Sequence, residues 1–244
     1  MELPSWWSSN SDEVIFNDLN LDMSVVPTQI EALDDVIFGG LITGCIYEVV
    51  GEAGTGKTNF CLEVVKNISK THKCYYLNTL KPVSQSRLAS IGANLSNIIF
   101  RYSTTFEQSK LYIYEDLGSL LNINDDIKLI VVDNIYSFVA ELDDPYQKSS
   151  AIRAIAMVLK LYSDKYKVAV IIVNNVVADM QGKTVPGLGV NWANCINYRL
   201  LLEKKINERT LKILQSIDSS QGTELILSIT NTSVNLISKS FSFT

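Results

Sequence analysis

The ten residues Val49–Thr58, which read VVGEAGTGKT, combine flexible glycines with a lysine and a hydroxyl. Their spacing, G-x-x-x-x-G-K-[ST], is that of the Walker A phosphate loop. Glycines let the backbone curl closely around a phosphate chain, and the N-terminus of a following helix adds partial positive charge. Lys57 supplies a full charge for the outer phosphates, and Thr58 offers a hydroxyl to a magnesium ion. The residues predicted to bind a nucleoside triphosphate here are Gly51, Glu52, Ala53, Gly54, Thr55, Gly56, Lys57 and Thr58.

The sequence on either side of this loop predicts a strand before it and a helix after it. Cys45–Val50 (CIYEVV) is an apolar run typical of a buried strand, and Asn59–Ser69 has the periodicity of an amphipathic helix. A glycine-rich turn that joins a strand to a helix without binding any ligand is the alternative interpretation. Because the motif has the context that it requires, the sequence favours binding of a triphosphate.

A second candidate site residue stands at the end of another apolar run. Lys128–Val132 (KLIVV) predicts a buried strand, and Asp133 and Asn134 follow it directly. An aspartate in this position, downstream of a phosphate loop, can hold magnesium together with Thr58 and water, as in the Walker B arrangement. An aspartate that only caps a turn is the alternative. The sequence therefore predicts a Mg²⁺ site at Thr58 and Asp133, with Asn134 beside it to orient water.

Apolar runs and helical patterns alternate along most of the chain. We expect strands at 73–77, 96–102, 128–132 and 168–173, and helices at 84–91, 106–121 and 149–166. Three further strand-like runs, Cys195–Leu202, Thr210–Ile217 and Glu224–Thr230, have no helix between them. Strands that alternate with helices form mostly parallel sheets, and consecutive strands form antiparallel ones. The sequence predicts an α/β fold with a mostly parallel, doubly wound sheet and an antiparallel C-terminal extension.

The composition limits the classes of protein to which the chain can belong. With 244 residues, 47% of them hydrophobic, the chain is long enough for one α/β domain with a large core. Its formal net charge of -5 argues against binding nucleic acid through bulk charge alone. The cysteines are far apart and indicate buried thiols, and with a single histidine they form no metal-binding pattern. Neither a secretory signal nor a long apolar span is visible, so we expect an intracellular protein that does not cross a membrane.

The residues that precede the phosphate loop resemble a known family. Thr28, Leu33-Asp34, Gly39-Gly40 and Gly44 follow the series T-x-x-x-x-L-D-x-x-x-x-G-G-x-x-x-G, which resembles the core of RecA/RadA-type recombinases. Pro186–Arg199 (PGLGVNWANCINYR) is similar to a run in recombinase paralogues, such as eukaryotic recombination mediators and archaeal RadB. The resemblance implies a RecA-like P-loop NTPase core over 27–244, preceded by an arm or linker over 1–26. It also implies that the nucleotide is ATP.

The chain departs from this family where the family's catalytic glutamate stands. The family motif Y-[IL]-D-T-E-G corresponds here to Tyr76–Lys81 (YLNTLK), so Leu80 occupies the place of the glutamate that activates water. Leucine can neither accept a proton nor orient water. Glu52 and Asp116 are possible substitutes, although the spacing favours neither. We expect Mg-ATP binding with weak or absent hydrolysis.

Three further residues correspond to positions of known role in the family, and each has an alternative interpretation. By the resemblance, Arg87 corresponds to an arginine that lies against the adenine ring, although a solvated arginine on a helix surface is an equal alternative. Asn175 corresponds to a glutamine that senses the terminal phosphate, and its side chain is one methylene shorter. Trp192 is either a family-specific residue or a packing residue at the entrance of a strand.

The candidate DNA contacts are few. Lys148, Arg153 and Lys183 are the cations near the place where the resemblance puts DNA, and scattered solvated cations are the alternative. Three charges on an acidic protein predict weak, salt-sensitive binding to single-stranded DNA, or binding through a complex.

The resemblance implies a function in homologous recombination. It predicts an ATP-binding recombinase paralogue in the nucleus that acts in repair of DNA double-strand breaks. Its partners would be another paralogue, the main recombinase or both, and the complex would assist the recombinase on single-stranded DNA. The alternatives are a non-hydrolysing scaffold subunit and a stand-alone DNA-dependent ATPase.

The first residues carry aromatic side chains without a regular pattern. Trp6 and Trp7 belong either to an arm that docks on the body of the protein or to an anchor for a partner. Phe16–Leu19 is a weak match to the F-x-x-A peptide through which recombinases polymerise.

Overall fold

Apolar runs of the sequence form the centre of a nine-stranded sheet. The computed structural model describes residues 24–79, 83, 85–178, 181–182, 184–206, 208–218, 220–230 and 233–240. Its strands are β1 Val25–Val26, β2 Leu41–Ile42, β3 Ile46–Val50, β4 Lys73–Asn78, β5 Ile98–Tyr102, β6 Ile127–Asp133, β7 Ala169–Val173, β8 Val176–Ala178, β9 Thr184–Pro186, β10 Tyr198–Lys204, β11 Arg209–Gln215, β12 Glu224–Ile229 and β13 Val234–Ser240. Trp6, Trp7 and Phe16–Leu19 lie outside the described residues.

Helices connect most of the parallel strands. They are α1 Glu31–Asp34, α2 Lys57–Ile68, α3 Gln85–Ser90, α4 Phe106–Leu111, α5 Gly118–Ile123, α6 Ile135–Phe138, α7 Pro145–Tyr166 and α8 Gly189–Ala193. A 3₁₀ turn at Leu95–Asn97 precedes β5, and a π-helical turn at Tyr112–Leu117 joins α4 to α5. Among the described residues, no helix is both long and apolar enough to cross a membrane.

The strand order of the large sheet is β13-β12-β11-β10-β3-β7-β6-β4-β5. Neighbours from β10 to β5 run parallel, and those from β10 to β13 run antiparallel. The predicted fold class, a mostly parallel sheet with an antiparallel C-terminal extension, is confirmed. Two small antiparallel pairs, β1 with β2 and β8 with β9, stand apart from this sheet.

The prediction for the run Cys195–Leu202 is wrong in one respect. The strand formed there, β10, begins at Tyr198, and it is the last parallel strand, paired with β3, as well as the first strand of the antiparallel part. Asn197 fixes this arrangement, since its N–H donates to the Ile46 carbonyl and its Oδ1 accepts from the Ile46 N–H, both over 2.9 Å. Periodicity along the chain does not show which neighbour a strand will choose.

Two separate cores cover the two faces of the sheet. Side chains of β3 alternate between them, because successive residues of a strand point to opposite faces. Tyr47 and Val49 pack in the core that includes α2, whereas Ile46 packs in the core that includes α7. Strands buried on both faces lack polar alternation, which explains why they read as continuous apolar runs.

The predicted helix at 106–121 is interrupted in its middle. The Tyr75 hydroxyl donates to the Tyr112 carbonyl oxygen over 3.1 Å, at the start of the π-helical turn. A side chain that takes a helix carbonyl in this way favours a local widening of the helix. Helix α7, by contrast, is regular and begins at Pro145, where the Asp144 carboxylate accepts bonds from the first free backbone N–H groups.

A pair of substitutions in α7 tests which side of this helix packs against the sheet. Leu159 is 0% exposed on this helix, so Leu159→Ala is expected to lower the free energy of unfolding by about 2–5 kcal/mol through lost burial and a residual cavity. Leu161→Ala is the matched control, because Leu161 is 59% exposed and its loss should cost less than about 1 kcal/mol. Chemical denaturation followed by circular dichroism measures both. Equal costs would contradict the observed orientation of the helix.

Candidate nucleotide-binding site

The phosphate loop joins β3 to α2 and is shaped by its glycines. Gly51 and Gly56 have φ angles of 156° and 107°, which L side chains rarely adopt. A Cβ atom at Gly51 would stand 2.3 Å from the Leu202 carbonyl oxygen, and one at Gly56 would stand 2.5 Å from Ile229 Cδ1. Strands β10 and β12 therefore pack directly against the loop. The φ angles at both positions, and at Gly51 also the Leu202 carbonyl, favour glycine.

Lys57, the first residue of α2, lies folded into the loop. Its Nζ donates to the carbonyl oxygens of Gly51 and Glu52 over 2.6 and 2.9 Å. Burial lowers the pKa of Lys57, and the negative charge of Asp133 opposes this shift. The ammonium group is thus held by carbonyl dipoles at the mouth of the loop, close to a carboxylate.

Asp133 is the last residue of β6, and its two carboxylate oxygens have different surroundings. Oδ2 accepts hydrogen bonds from Thr58 Oγ1 and the Tyr76 hydroxyl, each over 2.8 Å. Oδ1 is buried and has no hydrogen-bond partner among the described residues. Burial raises the pKa of Asp133, while the bonds from Thr58 and Tyr76 and the charge of Lys57 act to lower it. Carboxylate and hydroxyl oxygens are the donors that Mg²⁺ prefers, so Asp133, with one oxygen bonded to the Thr58 hydroxyl and the other unpartnered, fits that ion.

These groups surround one cleft of about 440 Å³. Its lining contains five of the predicted loop residues and three further predicted residues, Asp133, Asn134 and Asn175. The complete lining is Ala53, Gly54, Gly56, Lys57, Thr58, Asn59, Asp133, Asn134, Asn175 and Arg209. Glu52 and Thr55 line a different cavity, of about 260 Å³, on the side of β10. Gly51 does not line the cleft, although its carbonyl oxygen accepts a hydrogen bond from Lys57 Nζ.

Arg87 lies next to the cleft without lining it. Its Nη2 donates to Asn59 Oδ1 over 2.7 Å, and Asn59 is a lining residue. Arg87 is half-buried on α3. Its place against the adenine ring stays a prediction. Leu80, at the place of the family's glutamate, lies outside the described residues.

Two asparagines connect the ends of β6 and β7. Asn134 Nδ2 donates to Asn175 Oδ1 over 2.9 Å, and Asn134 Oδ1 accepts from the Tyr136 N–H over 2.7 Å. The Thr79 hydroxyl donates to the Asn134 carbonyl over 2.7 Å, and it accepts from the Asn134 N–H over 2.9 Å. This network fixes both amides beside Asp133.

A buried carboxylate that the sequence did not indicate lies on β3, the strand that leads into the phosphate loop. Glu48 on β3 is 0% exposed, and its Oε1 accepts from Asn174 Nδ2 and Trp192 Nε1 over 2.7 and 2.6 Å. Its Oε2 accepts from Arg199 Nε over 2.5 Å. Trp192, left open between two roles, is therefore both a packing residue and a hydrogen-bond donor. The only local signal was a glutamate within an apolar run.

Arg209, the first residue of β11, is a lining residue without a signal in the local sequence. It adds a second cation to the cleft that contains Lys57. Its Nε is buried and has no hydrogen-bond partner among the described residues. A cation in a cleft, with an unused donor, suits an anionic ligand.

The two predicted DNA contacts that the structure describes, Lys148 and Arg153, lie on different sides of α7. Lys148 lines a cleft of about 350 Å³ with Tyr136 and Gly187, whereas Arg153 is exposed on α7 and is not part of that lining. The two residues are five positions apart on the helix, which places them about 140° apart around its axis. Lys183 lies outside the described residues.

The sheet order and the loop geometry define a RecA-like α/β fold. The chain belongs to the Rad51 family, whose model matches residues 21–236. This match confirms the predicted family resemblance, which covered nearly the same part of the chain.

The chain is similar to relatives that are named as DNA repair proteins. The chain is 24% identical to the mouse DNA repair protein RAD51 homolog 4, over 78% of this chain and 64% of the relative. It is 29% identical to the DNA repair and recombination protein RadB of Archaeoglobus fulgidus, over 64% of this chain and 72% of that protein. It is 22% identical to the DNA repair protein RAD51 homolog 2 of Arabidopsis thaliana, over 87% and 70% respectively. The chain thus spans less than two thirds of the mouse relative.

The buried ion pair of Glu48 generates a stability prediction. Arg199→Met removes the cation and leaves the carboxylate buried, so the free energy of unfolding should fall by about 3–5 kcal/mol. Chemical denaturation is the measurement.

Arg101→Met is the matched control, because Arg101 pairs with Asp116, whose side chain is 27% exposed. A partly solvated pair contributes about 1 kcal/mol or less. If Arg199→Met cost no more than Arg101→Met, the buried Glu48 carboxylate would not be the constraint that its contacts indicate.

Proposed function

We propose that this protein binds Mg-ATP and acts in homologous recombination and DNA repair as a subunit that assists a recombinase. The observation that carries the nucleotide part is the meeting of Lys57, Thr58 and Asp133 at one cleft, with one Asp133 oxygen unpartnered. A cation, a hydroxyl and a free carboxylate oxygen are the groups that a magnesium–phosphate complex requires.

Each residue has a defined task in this proposal. The loop N–H groups and Lys57 would bind the phosphates, and Thr58 and Asp133 would hold Mg²⁺, whose charge neutralises the phosphate oxygens. Arg209 would add a second positive charge from the antiparallel part of the sheet. Arg87, hydrogen-bonded to the lining residue Asn59, would contact the adenine ring.

Weak or absent hydrolysis is part of the proposal. Among the described residues that line the cleft, Asp133 is the only carboxylate, and its Oδ2 is already bonded to Thr58 and Tyr76. Of the two possible substitutes for the missing glutamate, Glu52 lines the other cavity, and Asp116 is paired with Arg101. Activation of water needs a free base within reach, and these positions supply none.

The recombination part of the proposal is supported by the relatives. Their names contain DNA repair, and that of the archaeal relative also contains recombination. We propose that the partners are another family member, the main recombinase or both. The nucleus is the proposed compartment, and contact with single-stranded DNA is weak or made through the complex, since the net charge is -5.

A non-hydrolysing scaffold subunit that uses no nucleotide is the second candidate. The observation in its favour is that Lys57 already donates to two loop carbonyls, which could replace a phosphate as its partners. A stand-alone DNA-dependent ATPase has less support, because Asp133, the one carboxylate among the described lining residues, is assigned to Mg²⁺ in this proposal.

The nucleotide proposal predicts magnesium-dependent ATP binding that Lys57→Ala weakens at least about tenfold, because a charge-assisted bond to phosphate is lost. Titration calorimetry with and without Mg²⁺ measures the affinity, and phosphate release measures turnover, which we expect to be slow. Lys70→Ala, just beyond the end of the same helix and exposed, is the control that should retain binding.

Absence of ATP binding in the wild-type protein, tested alone and with its partner, would favour the scaffold function. Brisk turnover stimulated by single-stranded DNA would instead show that a base exists outside the cleft residues named above.

The partner proposal predicts that affinity purification of the tagged protein recovers another recombinase-family member. If bound ATP stabilises that interface, Lys57→Ala should reduce the recovery relative to Lys70→Ala. Quantitative mass spectrometry of both samples is the measurement. Recovery of no recombinase-family protein would refute the proposed role in recombination.

A further inference from the structure

A groove of about 690 Å³ lies between residues 156–164 of α7 and residues 194–197, which lead into β10. We call it the α7 groove. Asn197 is hydrogen-bonded to Ile46, the first residue of β3, whereas the phosphate loop follows the last residue of that strand. The α7 groove is therefore at the amino ends of β3 and β10, and it shares no lining residue with the nucleotide cleft.

The walls of the α7 groove are mainly apolar, although solvent reaches them. Met157 and Leu161, one helical turn apart, are 67% and 59% exposed, and Val158 and Ile196 lie beside them in the lining. Single apolar side chains on a surface are ordinary, but a contiguous apolar set in a concave site marks a binding surface. The α7 groove thus has the chemistry of a docking site for apolar or aromatic side chains.

The first described residue of the chain is close to this groove. Ser24 is hydrogen-bonded to Thr43 through the two hydroxyls over 2.9 Å, and the Ser24 carbonyl accepts from the Thr43 N–H over 2.9 Å. The carbonyl of the next residue, Gly44, accepts from Nζ of Lys160, which lines the groove, over 2.5 Å. One strand spacing, one residue and one lysine side chain therefore separate Ser24 from the groove, about 15 Å in all.

Residues 1–23 precede this point and lie outside the described residues. Their sequence includes Trp6 and Trp7 and five carboxylates, but no lysine, arginine or histidine. Sixteen residues separate Trp7 from Ser24, and an extended chain of that length reaches about 50 Å. The two tryptophans are thus well within reach of the α7 groove.

Charged residues around the groove match this acidic segment. Arg153 and Lys160 lie four residues before and three residues after Met157 on α7, and therefore on the same side of the helix. Among the described lining residues, the one carboxylate is that of Asp164. Two cations against one carboxylate favour an acidic segment over a basic one. The Asp164 carboxylate also offers an acceptor for the N–H group of a tryptophan.

We propose that residues 1–23 fold back and dock Trp6 and Trp7 into the α7 groove of the same chain, where they cover Met157 and Leu161. The inference rests on the chemistry of the groove and on the place where the described chain begins. It goes beyond the proposed nucleotide binding and does not depend on it. Because segment and groove belong to one chain, the docking is intramolecular and needs no partner.

The experiment uses Cys195 as a probe of the groove. Cys195 lines the groove and is half-buried, whereas the other three cysteines are buried. Its rate of alkylation by N-ethylmaleimide, followed by mass spectrometry of the full chain, reports how often the groove is open. A variant with both Trp6→Ala and Trp7→Ala should react at least about fivefold faster than the wild type, because the undocked groove exposes the thiol.

Met157→Glu tests the groove itself. The glutamate removes an apolar contact and repels the acidic segment, so Cys195 should again react at least about fivefold faster. Its charge alone would disfavour the reactive thiolate and slow the reaction, so an increase reports undocking. Combination with the two tryptophan substitutions should add nothing further, because all of them disrupt the same contact.

Ile123→Glu is the matched control, because it introduces the same charge at an apolar side chain that is 79% exposed on α5 and does not line the groove. This variant should alkylate at the wild-type rate. Thermal unfolding shows that each variant is folded.

Alkylation at protein concentrations about a hundredfold apart separates the possible occupants, since intramolecular docking slows the reaction equally at both. Slowing only at the higher concentration would assign the groove to a second copy of the chain, and slowing only with an added partner protein would assign it to that partner. Either result would overturn the inference. So would a wild-type rate within about twofold of that of the tryptophan double variant. ATP binding by the wild-type protein is a separate measurement, so these outcomes leave the proposed function standing.

Discussion

One buried carboxylate constrains how the centre of the sheet is assembled. Glu48 has no exposed surface, and it accepts hydrogen bonds from Asn174, Trp192 and Arg199. A carboxylate inside a protein is tolerated only when its oxygens are paired and hydrogen-bonded. The donors come from β10, from α8 and from the residue after β7, so all three elements must stand in place around β3. Because β3 continues into the phosphate loop, the same carboxylate fixes the point at which the loop begins.

The antiparallel part of the sheet completes the cleft. The Leu202 carbonyl leaves no room for a Cβ atom at Gly51, and the Ile229 side chain packs against Gly56, so strands β10 and β12 border the loop. The same part of the sheet contributes Arg209 to the lining. The antiparallel strands, whose sequence contains no recognisable motif, thus help to form the cleft.

Local spacing made part of this site predictable. The phosphate loop and Asp133 were identifiable because their chemistry depends on neighbours in the sequence and on a preceding apolar strand. The contacts of Glu48 could not be predicted, since its partners stand 126 to 151 residues away along the chain. The π-helical turn was missed for a similar reason, because the Tyr75 hydroxyl that bonds to its first residue comes from a distant strand. A contact between two elements that are distant along the chain produces no pattern in the sequence of either element.

The arrangement suits retention of a nucleotide better than its turnover. Asp133 already accepts bonds from Thr58 and Tyr76, and Asn134 and Asn175 can orient a phosphate or a water but cannot take up its proton. A ligand that binds only the folded state stabilises it, by about 2.7 kcal/mol at a concentration of 100 times its Kd. In the proposed function, ATP would therefore act mainly as a structural ligand. It would fix the ends of β6 and β7 in one arrangement and so present a constant surface to a partner.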